Sequence, residues 1–145
     1  MYKHILIATD GTELSEKALH QGYALAKSLG AQITVVTATE PWEAIVVGEV
    51  AVVLPPEKYE EMASSHAAGI LQKAKELAQK DGVTPHTVQF QDRHPAEAIL
   101  EAAESKGCDL IVMASHGRRG LSRLVLGSKA NEVVTRSTVP VLIIR

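Results

Sequence analysis

The sequence predicts a doubly wound α/β fold, a five-stranded parallel sheet with helices on both faces. Three observations carry that expectation. Five short apolar runs recur along the chain, and four of them are almost continuously apolar, the pattern of strands buried on both faces. Stretches with helical spacing of apolar positions stand between them. The two kinds alternate, and such alternation means right-handed crossovers and a parallel sheet.

Taken in order, residues 5–9 form the first strand and lead into Asp10-Gly11-Thr12. Leu14, Ala18, Leu25 and Leu29 fall on one face of a helix, and Gly30 is its stop signal. Residues 33–38 are the second strand. The stretch from Pro41 to Pro56 reads as a loop, yet it holds Trp42, Ile45, Val46, Val47, Val50, Val52, Val53 and Leu54. A loop so apolar should cover a ligand site, meet a second subunit or pack on its own core. A long helix opens after Pro55-Pro56 and closes before Gly82, with Tyr59, Met62, His66, Ile70, Ala74 and Leu77 as its stripe. Residues 87–90 are the third strand. Val88 and Phe90 alternate there with Gln89 and Gln91, as in an edge strand with one wet face. Pro95 starts a helix marked by Ala96, Ile99, Leu100 and Ala103, with Gly107 after it. The fourth strand is 110–114, the last helix ends with 131–136, and the fifth strand is 141–144.

Length and composition narrow the function classes. A chain of 145 residues suits one domain, residues 1–145, with its own core. A formal net charge of −2 gives no global field to attract nucleic acid or an anionic membrane, so any anion site must be made locally. Cys108 is the single cysteine, which excludes an intramolecular disulfide, and its place before an apolar run reads as a small buried residue. The first apolar run is too short for a secretion signal and no stretch is long enough to span a bilayer, so a cytoplasmic protein is expected.

In a sheet of this kind ligands bind beyond the carboxyl ends of the strands, where the winding reverses. The segment after the fourth strand is the most informative. From Ala114 to Ser128 it carries Gly117, Gly120 and Gly127 with Arg118, Arg119 and Arg123, and Ser128 stands where a helix begins. Glycines let backbone amides approach an anion, a serine can cap the helix start, and the helix dipole adds positive potential. A glycine-rich surface turn with solvated arginines has the same composition. A Walker A loop is absent, since Gly127-Ser128-Lys129 has the wrong order, and so is a G-x-G-x-x-G pattern after the first strand. The six histidines show no ligand spacing for a metal. His66 reads as a core or boundary residue, His94 lies at a helix start beneath or beside the site, and His116 lies inside the glycine-rich segment. No catalytic constellation is evident.

That segment resembles the universal stress protein (UspA-like) family, whose ATP-binding members carry G-x2-G-x9-G-[S/T]. The frame here is Ala114-x2-Gly117-x9-Gly127-Ser128. The opening residues 5–15 and the close Val139-Pro140-Val141-Leu142-Ile143 are similar to the family as well, so the likeness covers essentially the whole chain. It implies strand order 3-2-1-4-5, a Rossmann-like architecture of the adenine-nucleotide alpha-hydrolase type. It also implies an adenine nucleotide as ligand: ATP, or AMP or ADP, with Mg or Mn. Residues placed at the nucleotide by the resemblance are Asp10, Ala38, Ala114, His116, Gly117, Arg118, Gly127, Ser128 and Lys129. Within that set Gly117, Gly127 and Ser128 would hold phosphates through backbone amides and a hydroxyl, and the backbone of Ala38 would meet the base. A bare carboxylate repels phosphate, so Asp10 should address ribose hydroxyls or a divalent cation, and its other reading is a turn or cap residue. Ala114 departs from the pattern. Its methyl group fits if the family glycine merely ends a strand and intrudes if a sugar packs there. The implied function is a stress-response or signalling binding protein with slow or no ATP hydrolysis. Its implied partner is a second copy, joined through the C-terminal edge strand. A dimeric interaction module without nucleotide is the other function this fold would serve.

Overall fold

Local signals set where each helix starts and stops. The Thr12 hydroxyl accepts from the Ser15 amide at 3.3 Å and caps α1 (Glu13–Leu29), and Gly30, at φ +64°, ends it in the left-handed conformation. Gly82, at φ +76°, closes α2 (Pro56–Asp81) in the same way. Prolines occupy the first turns of α2 and of α3 (Pro95–Ser105), where a missing N–H costs nothing. Among the described residues the shortest helix is α4 (Ser128–Arg136). The computed structural model describes residues 1–39, 45–47, 50–52, 55–117 and 125–145, with 45–47 and 50–52 described by their backbone alone.

The strands are β1 (His4–Ala8), β2 (Gln32–Ala38), β3 (Ile45–Val47), β4 (Val50–Val52), β5 (His86–Phe90), β6 (Leu110–Ala114) and β7 (Val141–Ile144). Five of them form a parallel sheet in the order β5-β2-β1-β6-β7, the order the resemblance implies. Its winding reverses between β1 and β6, so their carboxyl ends flank the crevice where ligands gather in such sheets. Strand alternation divides the core. Ile5, Ile7, Ile33, Val35 and Val112 face α1 and α2, while Leu6, Val36, Ile111 and Met113 face α3 and α4. Both faces are therefore apolar, which is why the central strands read as continuous apolar runs.

Four details differ from the sequence reading. Part of the stretch expected as a loop is an antiparallel hairpin of β3 and β4, with Val47 opposite Val50. The valine-rich sequence and the glycine between the strands favour that form. What its side chains cover lies outside the described residues. The α1 stripe is turned: Ser15, Ala18, Leu19, Gly22, Tyr23 and Ala26 are buried, and Leu29 is exposed. The α2 stripe is turned likewise to Ala67, Leu71, Ala74 and Ala78, leaving Met62 exposed. The third strand is at the edge as expected, and its glutamine side is wet at Gln91, which is exposed, but not at Gln89. The α2 helix reaches over it, Gln91 donates to the Ser64 hydroxyl, and among the described residues Gln89 Nε2 is buried without a partner, as is Thr39 Oγ1.

Cys108 is buried, as expected, and its thiol is pushed up to about 11 by burial and then by the neighbouring Asp109 carboxylate. A thiol held so firmly protonated is a packing residue. Tyr23 is buried too. Its hydroxyl donates to the Ala74 carbonyl at 2.8 Å and bolts α1 to α2, and burial, then Asp81, raises its pKa. Among the described residues no helix is long and apolar enough to cross a membrane.

Candidate functional site

The site is built from two turns that leave adjacent strands. After β1 the chain runs through Thr9 and Asp10 into Gly11, whose φ of +81° makes the sharp turn that glycine adopts without strain. Asp10 Oδ1 accepts from the Thr12 amide at 3.0 Å and from the Thr12 hydroxyl at 2.6 Å. That is the capping chemistry expected of Asp-Gly-Thr, and it fixes one oxygen. The other, Oδ2, stands 3.0 Å from where a Cβ on Gly117 would be. The glycine after β6 is therefore what lets the first turn's carboxylate approach the second turn's backbone.

The second turn is pinned at both ends. The Ser115 amide donates to the Ile144 carbonyl of β7 at 2.8 Å. The Ser115 carbonyl accepts from the Gly127 amide at 2.8 Å, which brings the start of α4 back against the end of β6. A Cβ on Gly127 would lie 2.8 Å from the Ser115 carbonyl oxygen and 3.3 Å from His116 Cα. Gly127 is thus demanded by backbone packing, and its N–H is spent on Ser115. Gly127 is also the N-cap of α4, so Ser128 is the first helical residue and not the cap that the sequence suggests. Having no side chain, Gly127 leaves the first turn of α4 without a side-chain cap. The amides of Ser128, Lys129 and Ala130 belong to that turn, where no earlier carbonyl of the helix serves them, and they carry the positive end of its dipole.

The structure brings Asp10, Ala114, His116, Gly117, Gly127 and Ser128 to the carboxyl ends of β1 and β6. Lys129 follows on the first turn of α4. Ala38 ends β2, one strand from β1, paired with Phe90. Ala114 is the last residue of β6, paired with Ile144, and its φ is not positive, so the backbone there accepts alanine. Arg118, with Arg119 and Arg123, lies outside the described residues. Among the described residues no cluster of three or more histidine, cysteine or acidic side chains is placed to hold a metal ion.

Two features escaped the sequence reading. Ser115 makes three contacts: the two backbone bonds above, and a third from its hydroxyl, 2.8 Å from His116 Nδ1. Its position inside the motif was the one available signal. The second feature is a cavity of about 550 Å³ between α1 and α2 that opens beside Thr9, Asp10 and Gly11. Leu19, Ile70, Ala74 and Leu77 give it an apolar floor, and Glu16 and Lys73, which pair across it, line its wall. His66, which the sequence placed in the core or at its boundary, is exposed on α2 and faces this cavity.

These features can be set beside known proteins. The family model for the universal stress protein family matches residues 1–145. The universal stress protein YxiE of Bacillus subtilis (strain 168) is 35% identical, with 100% of each chain covered. Among solved structures, a universal stress protein in complex with cAMP superposes with a TM-score of 0.74 at 23% identity, covering 99% of this chain and 97% of that one. The universal stress protein from Archaeoglobus fulgidus in complex with dAMP gives 0.75 at 19% identity, covering 99% and 98%. A family model that matches the whole length and a relative 35% identical from end to end agree, and the chain belongs to the universal stress protein family.

Proposed function

We propose that residues 1–145 form a single nucleotide-binding domain that takes an adenine nucleotide where the ends of β1 and β6 meet. ATP is the leading candidate, with AMP or ADP as alternatives. The observation that carries the reading is the geometry of the paired turns. Gly117 leaves room for the Asp10 carboxylate, and Gly127 folds the uncapped start of α4 against β6, which makes a cradle of amides. Two relatives of the same fold are described in complex with cAMP and dAMP, which supports an adenine nucleotide as the ligand class.

In this reading Ser128 and Lys129 meet the phosphates, with the amides of the α4 first turn. Gly127 acts by its shape, since its own amide serves Ser115. Asp10 addresses the ribose, or a Mg or Mn ion carried in by the phosphates. No residue among those described is placed as a general base, so turnover is slow or absent. The protein works by binding, in a cytoplasmic stress or signalling response, and assembles as a homodimer through β7.

Calorimetric titration of ATP, AMP and ADP into the purified protein, with and without Mg²⁺, tests this, together with mass analysis for co-purified nucleotide. Saturable binding that Gly117→Val removes is the expected result. If no nucleotide binds or co-purifies, a dimeric interaction module on the same fold replaces this reading.

A further inference from the structure

The helices that wall the cavity between α1 and α2 are fixed to each other and to the turn after β1. Ala74, on the cavity floor, has its carbonyl bound by the Tyr23 hydroxyl at 2.8 Å. Further along, His20 Nδ1 meets Asp81 Oδ2 at 2.7 Å and the Lys27 ammonium donates to the Asp81 carbonyl at 3.2 Å. At the mouth, a Cβ on Gly11 would stand 3.0 Å from Ile70 Cγ1, so α2 rests on the turn. The same turn sends Asp10 Oδ2 towards Gly117, which puts the α4 cradle on one side of it and the cavity on the other. A space of about 550 Å³ between helices so joined is preformed, and its size is that of a small-molecule site.

The lining says what kind of molecule fits. Leu19, Ile70 and Leu77 offer an apolar bed. The described lining carries two carboxylates, Asp10 and Glu16, against one lysine, Lys73, with His66 at the rim, a balance that favours a cation. Lys73 already shows how an ammonium docks there, since it pairs with Glu16. The pair is lopsided: the Glu16 side chain is 26% exposed and that of Lys73 57%. The lysine can therefore swing out to water while the carboxylate stays in the wall. We propose that this cavity is a binding site for an amphipathic amine, whose ammonium replaces that of Lys73 on Glu16 and whose apolar body lies over Leu19, Ile70 and Leu77.

Tryptamine is a suitable probe, with indole-3-propionate as its anionic match, each titrated into the protein and followed by the methyl NMR signals of Leu19, Ile70 and Leu77. Saturable shifts are expected with tryptamine, and weaker binding of the propionate. Glu16→Gln should weaken tryptamine about tenfold, the worth of one hydrogen bond to a charged group. Lys73→Met removes the competing ammonium and should tighten it about two- to fivefold, the worth of an exposed ion pair. A Cβ on Gly69, which lines the cavity, would meet nothing within 4 Å, so the fold should accept Gly69→Phe while the ring fills the mouth and stops binding. Absence of saturable shifts, a propionate that binds as tightly as the amine, weaker binding in Lys73→Met, or undiminished binding in Gly69→Phe would each overturn the proposal.

Discussion

A methyl group at Gly22 has no room. Its Cβ would stand 2.5 Å from Cδ1 and 2.9 Å from Cγ1 of Ile7, which is fully buried in β1. Alanine raises helix propensity by about 1 kcal/mol, but forcing atoms into a packed core costs about 1–3 kcal/mol. Gly22→Ala is expected to lower the urea midpoint, and adding Ile7→Val, which removes Cδ1, should recover part of the loss. At Gly127 the obstacle is backbone and cannot be trimmed. Its φ of −58° suits alanine, so the cost is contact with the Ser115 carbonyl and not strain. Gly127→Ala should destabilise the fold even without ligand, by about 1–3 kcal/mol, as read by urea unfolding. The spacing Gly117-x9-Gly127 was legible in the sequence, but not what each glycine does. Spacing cannot say which atom will lie opposite a missing Cβ. Ser115 shows the same limit, because its three partners come from β7, α4 and its own neighbour.

Helices and strands were legible wherever a local signal marks their ends: Thr12, Gly30, Pro56, Gly82 and Pro95 all stand at the boundaries that the structure shows. Which face turns inward was less legible on α1 and α2. The sequence reading followed mostly large side chains, whereas the close packing of α2 buries Ala67 and Ala78 beside Ala74, which the expected stripe included. Small residues let helices approach, and a stripe of alanines carries little apolar contrast. An exposed position of α2 at the rim of the cavity offers a test. A Cβ on Gly69 would meet nothing within 4 Å. Gly69→Ala is expected to raise stability by about 0.5–1 kcal/mol through backbone entropy alone. A second test sits where β1 and β6 begin. Asp109 accepts from the Lys3 amide at 2.9 Å and the His4 amide at 3.0 Å, and these bonds, that from Lys3 first, hold its carboxyl below the ordinary range. A carboxylate depressed on folding stabilises above its unfolded pKa, near 4, and that share is lost as pH falls through the folded value. Asp109→Asn should be less stable than the parent at pH 7. The gap should narrow in urea titrations run below pH 4.

At the scale of the whole molecule the sheet order was legible through the family resemblance, because alternation of elements alone fixes handedness but not order. The apolar stretch from Pro41 to Pro56 was not, since valine-rich sequence serves a loop cover and a hairpin alike. The order leaves β7 at an edge, with Leu142 40% exposed. An apolar edge strand invites pairing with another chain. The parent is expected to sediment as a dimer at micromolar concentration, and Leu142→Asp to shift it towards monomer. A stable monomeric parent would show that β7 pairs with nothing. The length of α2 bears on motion as well. It begins at Pro56, yet its first buried residue is Ala67, so roughly 16 Å of helix, at 1.5 Å per residue, runs ahead of the helix's fully buried contacts. Over that length the described residues supply the Gln91–Ser64 bond and only partial burial, while the amide hydrogens of β1 and β6 open only with the whole core. In deuterated water the exchange front should enter α2 at its amino end, stop near Ala67, and leave the central strands as the last protons to go.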